Sequence, residues 1–273
     1  MASGKVWFIT GTSTGIGRAL AEELLAAGHS VVATARNPES LADLAGATPD
    51  RLAAVRLDVT SPEEITAAVD AAIARFGRID VVVNNAGYGL IGALEEVDDA
   101  DVRLSFETQV FGVLNIIRAA LPHLRAQGSG TIVNVSSGGG LIGYPAGGIY
   151  CACKFALEGL TEALADEVRP FGIKVLLIEP GLTQSNFFVG SLKLADAMDA
   201  YANTPVGAIR SRIASRDPSD GQEPAVVARA ILAAEARDDL PLRLMVGAGP
   251  DADAESKIES LTAQVAASRQ FAV

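Results

Sequence analysis

Tyr150 and Lys154 stand four residues apart in the stretch GGIYCACKFALEGL (147–160), within a pattern that predicts a helix over 149–168. On a helix, residues i and i+4 share a face, about 6 Å apart along the axis. A free tyrosine phenol has a pKa near 10 and is a poor acid or base at neutral pH. An ammonium beside it favours the phenolate and lowers that value. Such a pair can give a proton to an oxygen, or take one back, near neutral pH. Ser137, at the end of an apolar run, offers a hydroxyl to the same oxygen. Taken alone, the pair also fits a plain helix wall: a half-buried tyrosine beside a lysine with its stem covered and its head in water. Cys151 and Cys153 lie between the two. At i and i+2 they do not face one another. His29 and His123 are the only histidines and make no zinc-like spacing. No metal is expected, and both cysteines read as small helix residues open at most to oxidation or alkylation.

A second constellation comes first in the chain. TGTSTGIG (10–17) follows an apolar run and precedes a helical pattern. A strand, a glycine-rich turn and a helix N-terminus form a cradle for a pyrophosphate. Gly11, Thr12, Ser13, Thr14, Gly15, Ile16 and Gly17 are its candidate residues. An ordinary glycine turn is the alternative, and the place after the first strand of a βαβ unit argues against it. The dinucleotide rule asks for an acid some 20 residues on, to hold a ribose hydroxyl. Ala35 stands there, and Arg36 follows. A guanidinium pairs with a 2′-phosphate, so NADP(H) is favoured, with NAD(H) possible. No Lys or Arg lies between Gly11 and Gly15, so Arg36 acts largely alone, or is only a surface arginine. Asp58 and Val59 end the third apolar run. The Asp58 carboxylate can accept from an adenine amino group, or cap the helix starting near Pro62. With the hydride carried by a cofactor, Ser137, Tyr150 and Lys154 need only handle the proton.

These groups need a frame. The runs 5–10, 30–35, 52–57, 81–84, 131–136, 174–179 and 242–246 are short, apolar and rich in β-branched residues. Nearly continuous apolar runs suit strands buried on both faces. Helical patterns alternate with them at about 16–27, 38–45, 62–76, 98–126, 149–168 and 224–236. Such alternation predicts an α/β fold, a doubly wound parallel sheet with helices on both faces. No linker or repeat divides the chain, so one domain over 1–273 is expected. The stretch 182–222 carries no strand signal. It follows a strand C-terminus, where ligands of open α/β sheets bind, and is a candidate lid.

Composition narrows the partners. Lys and Arg total 22 against 33 Asp and Glu, a net charge of −11, which repels nucleic-acid phosphates. No apolar run reaches the ~18 residues of a membrane span. The N-terminus has no long apolar segment of the secretory kind. A cytoplasmic protein is expected.

The ordered set TGxxxGxG at 10–17, NNAG at 84–87, a serine thirteen residues before the tyrosine, YxxxK at 150–154 and PG at 180–181 resembles the short-chain dehydrogenase/reductase family. The resemblance covers about 5–247 and is closest to its compact branch. IYCACKFALEGL looks like the matching helix of hydroxysteroid and retinol dehydrogenase members. The resemblance implies a seven-stranded parallel sheet and catalysis by Ser137, Tyr150 and Lys154, with Lys154 also holding the nicotinamide ribose. It adds Asn85, Ala86, Gly87, Pro180, Gly181 and Ser185 to the cofactor site, and Ser185 keeps the hydroxyl of a more usual threonine. It also exposes a departure. Where the family usually has an asparagine that holds a water for the lysine, this chain has Gln109. Glutamine can hold a water in a shifted place, or weaken the relay.

The substrate residues expected from position are Tyr88, Leu90, Leu141, Tyr144, Phe187, Phe188 and Leu192. They are apolar or aromatic, which favours a ketone or secondary alcohol with a hydrophobic body. Each can instead simply pack the lid. The alternative to an enzyme is a sensor or scaffold that binds NADP with little turnover. A homodimer or homotetramer is expected by resemblance. The tail 251–273 has a helical pattern that can dock on the body or on a neighbour.

Overall fold

The computed structural model describes residues 4–184, 191–217 and 219–271. Nine strands and nine α-helices are described: β1 (Val6–Ile9), α1 (Gly15–Ala26), β2 (Ser30–Ala35), α2 (Ala42–Ala47), β3 (Leu52–Arg56), α3 (Pro62–Phe76), β4 (Val81–Asn84), β5 (Gly89–Ile91), α4 (Asp99–Phe106), α5 (Gly112–Gln127), β6 (Gly130–Val135), α6 (Gly148–Val168), β7 (Ile173–Pro180), β8 (Leu192–Leu194), α7 (Pro205–Ala214), α8 (Pro224–Glu235), β9 (Arg243–Val246) and α9 (Pro250–Ser268). Seven strands form one sheet in the order β3-β2-β1-β4-β6-β7-β9, with every pairing parallel. The chain winds outward from β1 to β3, then crosses to β4 and winds the other way. The reversal lies between β1 and β4, and a crevice opens there at the strand C-termini.

The apolar runs are continuous because both faces of the sheet are covered. Successive strand residues point to opposite faces. Trp7 and Ile9 of β1, with Val81 and Val83 of β4, pack under Leu20 and Leu24 of α1 and Ile231 of α8. Val6, Phe8, Val32 and Val82 point the other way, to Ile65 of α3, Ile116 of α5 and Leu157 of α6.

Three expectations need correction. The helix expected over 98–126 is broken. Residues Glu107–Phe111 form a π-turn between α4 and α5, where the Gly112 N–H reaches back to the Glu107 carbonyl. The stretch 182–222, read as free of strands, holds β8, which pairs in parallel with β5 through Gly89↔Leu192 and Ile91↔Leu194. A three-residue strand has no measurable period, and its partner lies a hundred residues away. The helix after the third strand is not capped by Asp58. Ser61 Oγ accepts from Glu64 N at 3.2 Å, and Asp58 turns to Thr60 instead.

Candidate active site

The glycine loop sits at the reversal point. Gly11 and Gly15 have φ of +69° and +61°, a region open to glycine at little cost. The loop is also pressed against the end of β4. A Cβ on Gly11 would lie 2.9 Å from Ala86 Cα, and one on Gly17 would lie 2.5 Å from Asn85 Nδ2. Thr10 closes this junction. Its Oγ1 accepts from the backbone N–H groups of Asn85 and Ala86, both at 3.0 Å. Asn85 returns its amide to the carbonyls of Thr10 (2.9 Å) and Gly11 (3.0 Å). Thr12 is pinned to β2, its N–H and hydroxyl both donating to the Thr34 carbonyl at 3.0 Å.

The α1 N-terminus is built to receive an anion. Thr14 is its N-cap but makes no side-chain cap, and no acid stands in the first turn. The leading N–H groups and the positive end of the helix dipole thus face the crevice unsatisfied. Ser13 and Thr14 are exposed, while Gly15 and Ile16 are partly covered. This cradle fits a dinucleotide pyrophosphate. Arg36 is exposed at the end of β2, and no ion-pair partner for it stands among the described residues. Its carbonyl accepts from Arg56 Nη1 at 3.0 Å. Asp58 Oδ1 accepts from Thr60 N and Oγ1 at 3.0 and 2.8 Å. Burial raises the Asp58 carboxyl, but those bonds, with Arg36 and Arg56, outweigh it and hold it below the usual range. Val59 beside it is buried.

Ser137, Tyr150 and Lys154 converge at the end of β6. Ser137 opens a 3-10 turn, Gly138–Gly140, and its Oγ accepts from Gly139 N at 3.2 Å. Tyr150 lies in the first turn of α6 and Lys154 one turn on, and both are buried. The Lys154 Nζ donates to the Val135 carbonyl at 3.0 Å and stands 5.6 Å from the centroid of the Tyr150 ring. Burial pushes the phenol up to about 12, while a hydrogen bond with Ser137 pulls it down. Burial pushes Lys154 down to about 8, against the pull of Cys153 and Glu158. The expectation that the lysine lowers the phenol is thus reversed in this state: both groups are dry, and desolvation penalises both charged forms.

A buried polar network backs the pair. Asn84 and Asn134 are register partners on β4 and β6, and the Asn84 amide donates to Asn134 at 2.8 Å. Asn134 donates to Thr161 Oγ1 on α6 at 2.9 Å. Gln109 is carried inward by the π-turn. Its amide donates to Ser105 Oγ at 3.1 Å, and its Oε1 has no partner among the described residues. Cys153 Sγ also reaches Ser105, at 3.5 Å. Both cysteines are buried and free. Among the described residues no group of three or more His, Cys, Asp or Glu is placed to hold a metal, and no helix is long and apolar enough to cross a membrane.

The expected substrate residues divide. Tyr88, Leu141 and Tyr144 are half-buried around the site, and burial, with Tyr150 nearby, raises the Tyr144 phenol. Gly139 fits between them, a Cβ there falling 3.3 Å from both rings. Leu90 is 1% exposed and belongs to the interior, not to an open wall. Leu192 packs on Ile91, Ala93, Ala146 and Val206. Phe187, Phe188 and Ser185 lie outside the described residues. Pro180 ends β7 and Gly181 follows it, with the Gly181 N–H held by the Val246 carbonyl at 2.8 Å.

The segment from β8 through α7 is tied down by charges the motifs did not flag. Glu96, with a side chain 0% exposed, meets Arg210 Nη2 at 2.7 Å and accepts from Ala93 N and Met198 N. Lys193 pairs with Asp101, and Tyr201 donates to Glu95 at 2.8 Å. Thr10 and Asn84, which open the TGTSTGIG and NNAG motifs, were not singled out as site residues, and neither was Asn134, whose signal was polarity near the C-terminal end of an apolar run.

Comparison with known proteins agrees with this fold. The short chain dehydrogenase family model matches residues 5–193. Oxidoreductase BOA17 of Botryotinia fuckeliana is 41% identical over 249 residues, covering 91% of this chain and 90% of that protein. The 3-ketodihydrosphingosine reductase of Bacteroides thetaiotaomicron is 37% identical over 248 residues, 89% of this chain and 88% of that protein. A short-chain dehydrogenase from Streptomyces avermitilis superposes with a TM-score of 0.92 at 43% identity, over 99% of this chain and 98% of that one. A family member from Burkholderia phymatum in complex with NAD gives 0.78 at 28% identity, over 89% of each chain. A metagenomic short-chain oxidoreductase in complex with NADP gives 0.71 at 26%, over 89% and 97%. With the seven-stranded sheet, the glycine cradle and the Tyr150–Lys154 face in place, the chain belongs to the short-chain dehydrogenase family.

Proposed function

We propose that the protein is an NADP(H)-dependent oxidoreductase that interconverts a ketone and a secondary alcohol with a hydrophobic body. The observation that carries this reading is the convergence of Ser137, Tyr150 and Lys154 beside an uncapped helix N-terminus at the sheet's reversal point. Gly11 to Gly17 would hold the pyrophosphate, Asp58 and Val59 the adenine side, and Asn85, Ala86 and Gly87 the far side of the crevice. Pro180, Gly181 and Ser185 would flank the carboxamide. Arg36 would receive the 2′-phosphate, and the lack of an ion-pair partner for it among the described residues supports NADP(H) over NAD(H). Solved relatives with either cofactor support a nicotinamide dinucleotide in general.

The bound nicotinamide supplies or accepts the hydride. Tyr150 delivers a proton to the carbonyl oxygen in reduction and removes it in oxidation. Ser137 donates a hydrogen bond to the same oxygen and steadies the phenol. Lys154 lowers the cost of the phenolate and holds the ribose. Burial keeps Tyr150 protonated, which suits a proton donor. Gln109, with one amide oxygen unmet, is suited to holding a water for the lysine. The half-buried Tyr88, Leu141 and Tyr144 support an apolar substrate, and the β8–α7 segment would roof it. Exposed Leu104, Phe111 and Phe155 support self-association through the 99–127 and α6 surfaces.

The test is NADPH and NADH consumption at 340 nm with ketones of rising size. Reduction that is lost in Tyr150→Phe supports the reading. Cofactor binding without consumption of any ketone, in the wild type and in Gln109→Asn, points instead to a nucleotide-binding sensor.

A further inference from the structure

Beneath the Tyr150–Lys154 face lies a second group of charges. Glu158 follows Lys154 by one turn on α6, with a side chain 7% exposed. Glu179 stands just before Pro180 on β7, with a side chain 0% exposed. Arg243 on β9 serves both. Its Nε lies 3.1 Å from Glu158 and 3.4 Å from Glu179, while its Nη2 holds Glu162 at 2.5 Å. Two inward carboxylates thus share one guanidinium. Among the described residues, Glu158 Oε1 and both Glu179 oxygens accept no hydrogen bond.

The free oxygen of Glu158 faces the catalytic floor. A Cβ on Gly140 would lie 2.9 Å from Glu158 Oε1 and 2.7 Å from Ser136 Oγ. That places it against the turn that carries Ser137. Up the helix, its neighbour on the same face is Lys154, tethered to Val135.

We propose that Glu158 is a positioning residue for proton transfer: clamped by Arg243 one helical turn from Lys154, its carboxylate keeps that lysine charged in a dry site. The proposal rests on the roles given above to Tyr150 and Lys154. An ammonium removed from water needs an opposite charge nearby or it loses its proton. On its own helix Lys154 faces Tyr150, Cys153 and Glu158. Elsewhere around it, β6 and its turn present the neutral hydroxyls of Ser136 and Ser137, and the π-turn presents the neutral amide of Gln109. β7 presents Glu179 and β9 presents Arg243, and on α4 Asp101 is engaged by Lys193. Burial holds the Glu158 carboxyl above its usual range, with Glu162 adding to the rise and Ser136 and Arg243 pulling against it. Arg243 thus favours the ionised form of Glu158 against its burial, and Glu179 competes for the same cation.

The lysine can be read directly. The chain has five lysines, Lys5, Lys154, Lys174, Lys193 and Lys257, so 13Cε-lysine NMR gives a sparse spectrum in which Lys154→Met assigns the relevant signal. The wild-type Lys154 midpoint is expected at about 8. Glu158→Gln should lower it by about one unit, and Glu158→Asp should restore part of the shift. The alkaline limb of kcat should move down with it, while KM stays near its wild-type value. An unmoved Lys154 midpoint in Glu158→Gln overturns the proposal, even if stability falls. Should that variant fail to fold, the double variant Glu158→Gln with Arg243→Met removes anion and cation together and is read the same way. A wild type that reduces no ketone at any pH removes the functional reading, yet the lysine titration still decides this proposal.

Discussion

Lys154 donates to the carbonyl of Val135 at 3.0 Å, two residues before Ser137. One bond thus ties the first turns of α6 to the end of β6, and sets the lysine, the phenol and the serine hydroxyl in one frame. The bond survives loss of the lysine proton, because a neutral amine still donates. Geometry and charge are therefore separable here. Lys154→Met should fold with nearly unchanged Tm, since it removes a buried cation along with its hydrogen bond. It should lose roughly 100-fold or more in kcat/KM. Lys154→Arg should not rescue, because a planar guanidinium differs in shape and donor geometry. Steady-state kinetics with a responsive ketone, beside thermal melts, checks both.

Arg36 is an exposed guanidinium with no ion-pair partner among the described residues. Arg36→Ala should raise the KM for NADPH by roughly tenfold or more, the loss of a charge-assisted contact, while KM for NADH changes little. Equal effects on the two cofactors would remove Arg36 from the 2′-phosphate site.

Glu96 fastens the β8–α7 segment to the body. Its hydrogen bond with Arg210, with help from Met198 N and Ala93 N, holds its carboxyl down at about 2. A carboxyl lowered by folding contributes stability above its ordinary value of 4.5, and loses it as pH falls toward 2. Glu96→Gln leaves Arg210, itself largely covered, without its counter-charge. We expect Tm at pH 7 to fall by roughly 3–6 °C, and the gap from wild type to close as pH falls toward 2. KM for ketone should rise more than kcat falls, since the segment roofs the proposed substrate site. Melting curves over pH and a substrate titration give the two readouts.

Glu179 works in the opposite sense. Burial, reinforced by Glu158, pushes its carboxyl up to about 7 against the pull of Arg243. A carboxyl raised by folding is most favourable to stability below its unfolded value near 4.5, and that benefit is lost as pH rises through 7. Glu179→Gln is neutral throughout. It should therefore gain on the wild type between these limits, reaching on the order of 3 kcal/mol at pH 8. Urea unfolding at pH 5 and pH 8 tests the sign. A wild type that is the more stable of the two at pH 8 would mean that the Arg243 pairing outweighs burial.

The sheet was legible in the chain because its strands are buried on both faces. Val81, Val82 and Val83 must all be apolar when α1 lies over one side and α5 over the other. The glycine cradle and the Tyr150–Lys154 face were legible for a different reason. Each is set by short-range geometry, a turn that needs φ > 0 or a single helical turn, so spacing alone carries it. Three things escaped. The β5–β8 pair depends on partners a hundred residues apart, and neither three-residue run has a period of its own. The π-turn that carries Gln109 inward is one residue of extra winding, which composition does not announce. The charge states were misjudged because spacing puts an ammonium near a phenol but says nothing about water.

The residue types and their local spacing thus determined which groups are available for chemistry: a phenol, an amine and a hydroxyl, with a cradle for an anion. Tertiary structure alone decided how readily those groups ionise. Desolvation and pairing with Glu158, Glu179 and Arg243 arise only when α6, β7 and β9 close around the same dry volume. Electrostatic energy depends on distance and on the medium between charges, and both are properties of the folded chain.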